Sequence, residues 1–172
     1  FFFKQKTAYE IYQCDWSSDV CSSDLEFHYL RPRANIFKLP EELPTEAVIG
    51  AGCALITAIH GVERTGIDWR DTVVVQGAGP VGISALAVAK SAGASKVIVI
   101  GGPKHRLEVA KWFGADHTID LDEIPNPAER LSLVRQLTGG YGADVVLECV
   151  GIPSAIVEGM ELCRDGGKYL VL

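Results

Sequence analysis

The chain has 172 residues, of which 48% are hydrophobic and 22% charged, and a formal net charge of −6. This length and composition suit one domain with a hydrophobic core, and the negative charge argues against a protein that tracks nucleic-acid phosphates. No apolar run approaches the ~20 residues of a membrane helix, and five cysteines without repeated spacing argue against a disulfide framework, so we expect a cytoplasmic protein without membrane or nucleic-acid partners.

Residues 1–25 differ in character from the rest and show neither helical nor strand periodicity. Back-translation of residues 21–25 gives the end of a common short-read sequencing adapter, and residues 4–11 resemble its other end. We therefore interpret residues 1–25 as translated adapter without a domain, the alternative being a natural polar tail. The rest of the chain is predicted to begin with a proline-rich linker over residues 26–44.

One helix, followed by alternating strands and helices, is predicted after this linker. Thr45 is the expected N-cap of a helix of about fifteen residues that ends near Gly61. Asn126 is the expected N-cap of a later helix, with Pro127 at its first position. The five predicted strands span residues 72–76, 96–100, 117–119, 143–148 and 168–172, with a helix between each pair.

This alternation of strands and helices is typical of a parallel sheet with right-handed crossovers. Continuous apolar runs, such as those at 73–75 and 97–100, suit strands that are buried on both faces. We predict an α/β fold over residues 71–172, a doubly wound parallel Rossmann sheet with about five of its six strands. Residues 26–70 are predicted to hold the linker and the preceding helix.

A G-A-G-P-V-G loop follows the first predicted strand and opens a predicted helix, which is the context required of a G-x-G-x-x-G motif. Gly77 permits the tight turn, Gly79 lets the backbone approach a pyrophosphate, and Gly82 lets the helix pack close to the strand. Pro80 and Val81 begin the helix, where unpaired N–H groups and the helix dipole favour phosphate. The pattern predicts a dinucleotide site, and the alternative is a glycine turn without a ligand.

The acidic residue expected about 20 positions after Gly77, where it would bind the adenosine ribose hydroxyls, is absent. Gly101 stands at the end of the second predicted strand, and Lys104, His105 and Arg106 follow it. Loss of the acid and gain of nearby bases would tolerate a 2′-phosphate, so we expect NADP rather than NAD. The alternative is that these bases are solvated residues at the start of a helix.

Several further motifs occur in order and at the spacing of one known family. They are Leu39-Pro40, Cys53-x-x-x-Thr57-Ala58, the glycine loop, Arg106-Leu107-x-x-Ala110-Lys111-x-x-Gly114-Ala115-Asp116, Gly142-Ala143-Asp144-Val145-Val146-x-Glu148-Cys149-Val150-Gly151 and Gly166-Gly167. On these motifs the sequence from Pro40 to Leu172 resembles the zinc-type alcohol dehydrogenases among the medium-chain dehydrogenases and reductases.

The resemblance implies roles for five residues. Cys53 would be the third ligand of a catalytic zinc that polarises the alcohol oxygen, and Thr57, one turn further on, would pack against the nicotinamide. The backbone of Val150 and Gly151 would lie beside the nicotinamide ribose, and Arg106 near the adenosine ribose. The alternative for Cys53 is a small buried cysteine, and for Thr57 a threonine hydrogen-bonded to its own helix. The alternative for Val150 and Gly151 is an ordinary strand-end turn, and for Arg106 a solvated arginine.

By this resemblance the chain is a fragment of a zinc-dependent oxidoreductase that transfers a hydride between an alcohol or carbonyl substrate and NAD(P), from a homo-oligomeric parent. The family's first catalytic part and last Rossmann strand are missing, so we expect weak nucleotide binding and no turnover. One alternative is a zinc-free quinone or enone reductase of the same superfamily, which Cys53 argues against. Another alternative is a non-catalytic nucleotide-binding module. The first predicted helix argues against it, because we interpret that helix as the junction with a catalytic domain. A further alternative is a truncated sequence-assembly product.

Overall fold

Alternating helices and strands make up most of the chain that the computed structural model describes, residues 40–172. Residues 1–25, which we interpreted as translated adapter, and most of the predicted linker lie outside the described residues. In chain order the elements are α1 (Thr45–Thr65), β1 (Thr72–Gln76), α2 (Pro80–Ser91), β2 (Lys96–Gly101), α3 (Lys104–Trp112), β3 (His117–Asp120), α4 (Pro127–Leu137), β4 (Ala143–Glu148), α5 (Pro153–Leu162) and β5 (Cys163–Val171).

The five strands form one parallel sheet in the order β3-β2-β1-β4-β5. The chain builds the sheet outward from β1 to β3 and then returns to the other side of β1 for β4 and β5. This confirms the predicted doubly wound fold. Because the strand order reverses between β1 and β4, the loops that follow these two strands diverge and leave a crevice at the carboxyl edge of the sheet, where such folds bind ligands.

Helices cover both faces of the sheet, as the continuous apolar runs predict. Val73 and Val75 belong to a core cluster that includes Ala58 of α1 and residues of α2 and α3. Val74, on the opposite face, belongs to a second cluster with Val134 of α4. All three β1 valines are fully buried. Burial of each contributes roughly 1.5–3 kcal/mol, so the strand that leads into the glycine loop is firmly held.

Helix α1 is longer than predicted, with 21 residues and a change of direction at Gly52. It continues past Gly61, where a Cβ atom would collide with the side chains of Leu172 and Leu170, so this glycine serves close packing rather than helix termination. The helix ends at Gly66, whose φ of 58° is left-handed, and Pro44 rather than Thr45 occupies the N-cap. Within residues 40–172, no helix is both long and apolar enough to cross a membrane.

Helix α4 begins as predicted, at Asn126. The Asn126 side chain accepts a hydrogen bond from the Ala128 N–H at 3.0 Å and donates one to Glu129 at 3.2 Å. Pro127 takes the first helical position, where a missing N–H costs nothing.

Strand β5 begins at Cys163 rather than at Lys168. Its pairing with β4 is irregular, because Ala143 pairs with Cys163 whereas Val145 pairs with Lys168. The extra residues of β5, which include a Gly-Gly pair, bulge out of the ladder. Their mixed polar composition gives no strand periodicity, so the sequence did not predict this part of the strand.

Candidate nucleotide-binding site

The glycine loop, residues 77–82, joins the end of β1 to the start of α2. Gly77 has a φ of 107°, which favours glycine, and its N–H donates to the Ile100 carbonyl at 2.7 Å. Gly79 is the extended N-cap of α2, Pro80 is its first residue, and Val81 is half-buried in the first turn. The loop therefore turns sharply and presents the N-terminus of α2 at the carboxyl edge of the sheet.

Gly79 and Gly82 differ in the space around them: Gly82 is tightly packed and Gly79 is open. A Cβ atom on Gly82 would collide with the Gly77 carbonyl oxygen, so only glycine lets α2 pack this close to the loop. A Cβ atom on Gly79 would meet nothing within 4 Å. Gly79 therefore faces open space, and a side chain there would occupy the room in which a ligand could approach the backbone.

Gly101 is buried at the end of β2, against the glycine loop. A Cβ atom there would lie 2.9 Å from the Ala78 nitrogen, so a carboxylate side chain at this position would displace the loop. The sequence did not single out Asp120, which is paired in register with Gly101 on β3. Its buried carboxylate accepts a hydrogen bond from the Asp122 N–H at 2.9 Å and so holds its own loop.

Lys104 and Arg106, two neighbouring basic residues at the start of α3, have different surroundings. Lys104 forms an ion pair with Glu123 at 2.9 Å, and the hydrogen bond and charge of that carboxylate raise the pKa of Lys104. Arg106 has no carboxylate partner within residues 40–172 and lines a cavity of about 560 Å³ together with Gly79 and Pro80. Arg106, unlike Lys104, is therefore free to bind an anion beside the glycine loop.

The turn after β4 lies directly against Gly77. The Val150 side chain and the Cys149 carbonyl oxygen would each lie 3.2 Å from a Cβ atom on Gly77, and the Cys149 N–H donates to the Gln76 carbonyl at 2.9 Å. Gly151, with a φ of 77°, completes the turn at the surface. The predicted residues Val150 and Gly151 thus lie on the β4 side of the crevice, opposite Gly101.

Cys53 and Thr57 are exposed on α1. Thr57 lines a second cavity, of about 430 Å³, with His60 and the end of β5, whereas Cys53 lines neither of the two cavities. No group of three or more His, Cys, Asp or Glu side chains in residues 40–172 is placed to hold a metal ion. The described residues therefore do not by themselves fit a zinc site.

The strand order, the crevice and the glycine loop together define a Rossmann-type α/β domain. Residues 80–172 match the family model described as zinc-binding dehydrogenase. The chain belongs to this family, as the motifs of the sequence predicted.

The chain is similar to part of several longer proteins. The 5-exo-hydroxycamphor dehydrogenase of Pseudomonas putida is 41% identical over 137 residues, which cover 79% of this chain and 38% of that protein. An alcohol dehydrogenase structure from Thermotoga maritima is 38% identical, with a TM-score of 0.71 over 78% of this chain and 37% of its own. A mycobacterial protein solved with NADPH is 25% identical, with a TM-score of 0.69 over 78% and 40% of the respective chains. The chain spans about two fifths of the length of these proteins.

Proposed function

We propose that this chain is the nucleotide-binding portion of an oxidoreductase that transfers a hydride between an alcohol or carbonyl carbon and NAD(P). The open space at Gly79, in a cavity that Arg106 also lines, is the observation that carries the proposal. Membership of the zinc-binding dehydrogenase family supports it over a zinc-free quinone or enone reductase and over a non-catalytic nucleotide-binding module.

The pyrophosphate would bind at the first turn of α2. N–H groups in the first turn of a helix have no intrahelical acceptor, and the positive end of the helix dipole adds to their attraction for an anion. The adenosine half would extend towards Gly101 and Arg106, and the nicotinamide half towards Val150 and Gly151, because the ends of β2 and β4 lie on either side of β1 and the glycine loop. The bound cofactor would supply the hydride acceptor or donor.

We further propose that residues 71–172 form the nucleotide-binding domain and that residues 26–70 hold the linker and the junction with a catalytic domain. Cys53 is our candidate for one zinc ligand of the parent protein, and Thr57 is our candidate for a contact with the nicotinamide. Residues 40–172 complete no metal-ligand set, so further ligands have to come from outside them. A homo-oligomeric parent and a cytoplasmic location stay predictions.

We propose NADP rather than NAD as the cofactor. Glycine at position 101 leaves no carboxylate at the end of β2 to repel a 2′-phosphate, and Arg106 is free beside the loop. The mycobacterial relative solved with NADPH supports this choice. Lys104 contributes less, because it is already paired with Glu123.

Titration of the 172-residue chain with NADPH and with NADH, followed by the fluorescence of the reduced nicotinamide, tests both proposals. NADPH should bind more tightly than NADH. Arg106→Ala should weaken NADPH binding about tenfold and leave NADH binding unchanged, because a charge-assisted contact with the 2′-phosphate is lost. The matched control is Arg135→Ala, an exposed arginine on α4. A chain that binds neither nucleotide contradicts the proposed function, and an Arg106→Ala variant with unchanged NADPH affinity contradicts the choice of NADP.

A further inference from the structure

A buried carboxylate holds the turn that follows β4. Glu148 is the last residue of the strand and is fully buried. Its Oε1 atom accepts hydrogen bonds from the Val150 N–H at 2.5 Å and from the Gly151 N–H at 2.8 Å. Two consecutive amides of one turn are therefore fixed by a single side-chain oxygen that is anchored in the sheet.

Glu148 belongs to a buried polar cluster whose hydrogen-bonding groups are only partly paired. Gln76 is its register partner on β1, and Tyr169 lies nearby on β5. Three buried atoms have no hydrogen-bond partner among residues 40–172: Glu148 Oε2, Gln76 Oε1 and the Tyr169 hydroxyl. Burial of unpaired polar atoms is costly, and apolar side chains of similar size would pack here without that cost. The cluster therefore calls for an explanation beyond packing.

Space for this cluster is provided by Gly159 on α5. A Cβ atom there would collide with Gln76 Oε1 and approach the Tyr169 ring at 2.6 Å. The Gln76 side chain also donates to the Ala155 carbonyl at 3.0 Å, which ties the cluster to the first turn of α5. Glu148 is thus enclosed between the sheet and α5, and within residues 40–172 its side chain forms hydrogen bonds only with the turn.

The turn held by Glu148 forms one wall of the nucleotide crevice. Val150 packs against Gly77 of the glycine loop and, unlike Arg106, does not line the cavity at Gly79. A dinucleotide that has its phosphates at the glycine loop and its adenosine half towards Arg106 would place its other half against this turn. The position of the turn relative to the sheet then determines how closely the protein contacts the nicotinamide half of the dinucleotide.

We propose that Glu148 is a positioning residue, which fixes the backbone of Val150 and Gly151 for contact with the nicotinamide half of the dinucleotide. This inference rests on the proposed function. Loss of the carboxylate oxygen would release the two amides and let the turn move. The Glu148 side chain forms no hydrogen bond with the glycine loop or Arg106 in residues 40–172, so we expect these to keep binding the adenosine half.

Two ligands separate this role from a general structural one. NADPH fills both halves of the proposed site, and adenosine 2′,5′-bisphosphate fills only the adenosine half. Glu148→Leu should weaken NADPH binding by the 172-residue chain about tenfold and change bisphosphate binding less than about twofold, since two hydrogen bonds that shape only one half are lost. Glu148→Gln, whose amide oxygen can accept the same two N–H groups, should restore NADPH binding to near the wild-type value.

Several outcomes would overturn the inference. They are a Glu148→Leu variant that binds NADPH normally, one that loses both ligands equally while still folded, and a Tyr169→Phe control that weakens NADPH binding as much as Glu148→Leu does.

If Glu148→Leu does not fold, Gly151→Ala takes its place, because a Cβ atom there meets open space but strains a φ of 77°. Gly151→Ala should show the same difference between the two ligands, and unchanged NADPH binding would count against the proposal. A wild-type chain that binds neither ligand contradicts the proposed function instead.

Discussion

Arg130 and Glu158 join α4 to α5 through two parallel hydrogen bonds, Nε to Oε1 and Nη2 to Oε2, each 2.7 Å long. The two side chains are only 6% and 11% exposed. The third guanidinium nitrogen donates to the carbonyls of Ile124 and Pro125 at 2.7 and 2.8 Å. One arginine thus connects both helices on this face of the sheet and the loop that leads into α4.

Removing one partner of this ion pair should destabilise the chain strongly. Glu158→Ala would leave the Arg130 guanidinium buried with half of its partners gone, and we expect the free energy of unfolding to fall by about 3–5 kcal/mol. Urea denaturation followed by circular dichroism measures this change. The matched control is Glu108→Ala, which breaks the exposed pair with Lys111 and should cost less than about 1 kcal/mol. Equal losses for the two variants would contradict this account of the buried pair.

The glycines of the nucleotide loop should separate folding from binding. Gly82→Ala forces a Cβ atom against the Gly77 carbonyl, so we expect a loss of about 1–3 kcal/mol in unfolding free energy. Gly79→Ala meets open space in an extended conformation and should change stability by less than about 0.5 kcal/mol. Only Gly79→Ala should keep wild-type stability and still weaken NADPH binding. Thermal melts with and without NADPH show the difference. If NADPH raises the melting temperature of Gly79→Ala as much as that of the wild type, the open space at Gly79 is not the phosphate site.

Stability should depend on Asp144 in a defined pH range. Burial raises the pKa of Asp144, but the hydrogen bond from the Thr72 N–H at 2.7 Å and the Arg164 guanidinium at 2.6 Å outweigh burial and hold the pKa below its usual value. A carboxyl group with a depressed pKa stabilises the fold above the unfolded-state pKa of about 3.9, and this contribution is lost as the pH falls through the folded-state pKa.

The Asp144→Asn variant tests this dependence by urea denaturation at several pH values. The variant should be less stable than the wild type at pH 7, and the difference should shrink as the pH falls below about 4. The matched control is Asp165→Asn, at an exposed aspartate, which should leave the stability at pH 7 within about 0.5 kcal/mol of the wild type. A difference between Asp144→Asn and the wild type that stays constant from pH 7 to pH 3 would show that the carboxylate charge is not the cause.

The free thiols should differ in reactivity. Burial and, secondarily, the charge of Glu148 raise the pKa of Cys149 to about 12, so almost none of it is thiolate at pH 8. Cys53 is exposed on α1. Iodoacetamide at pH 8, followed by peptide mass spectrometry, should label Cys53 well before Cys149. Equal labelling of a folded chain would mean that burial does not suppress the thiolate of Cys149.

Local patterns sufficed to predict the strands of the sheet and the glycine loop. Thr72–Gln76 and Ala143–Glu148 were predicted with their observed bounds, because runs of β-branched residues flanked by glycine and charge allow few other structures. The parallel order then follows from the helical crossovers. The end of α1 was missed, because Gly61 looks like a helix stop in sequence and becomes a packing site only once Leu170 and Leu172 lie against it.

The polar surroundings of the candidate site could not be predicted, because they depend on distant pairs. Lys104 and Arg106 looked equivalent until Glu123 was found against Lys104, 19 residues away in sequence. In the sequence, Glu148 is only one residue of a family motif. The neighbouring residues do not indicate that its carboxylate accepts hydrogen bonds from two amides or that Gln76 pairs with it in register. Such roles follow from register and burial, which hydrophobic periodicity does not encode.

The strand order also fixes a sequence of events during synthesis. The Thr72 amide is bound by Asp144, 72 residues later, so one edge of β1 stays uncovered until β4 has left the ribosome. Strands β1, β2 and β3 emerge first and can assemble without it. The crevice between β1 and β4 therefore closes late, after most of the domain has been made. In the proposed binding mode, a dinucleotide contacts the turn after β4 only once β4 has paired with β1, so its full stabilising effect comes late in folding.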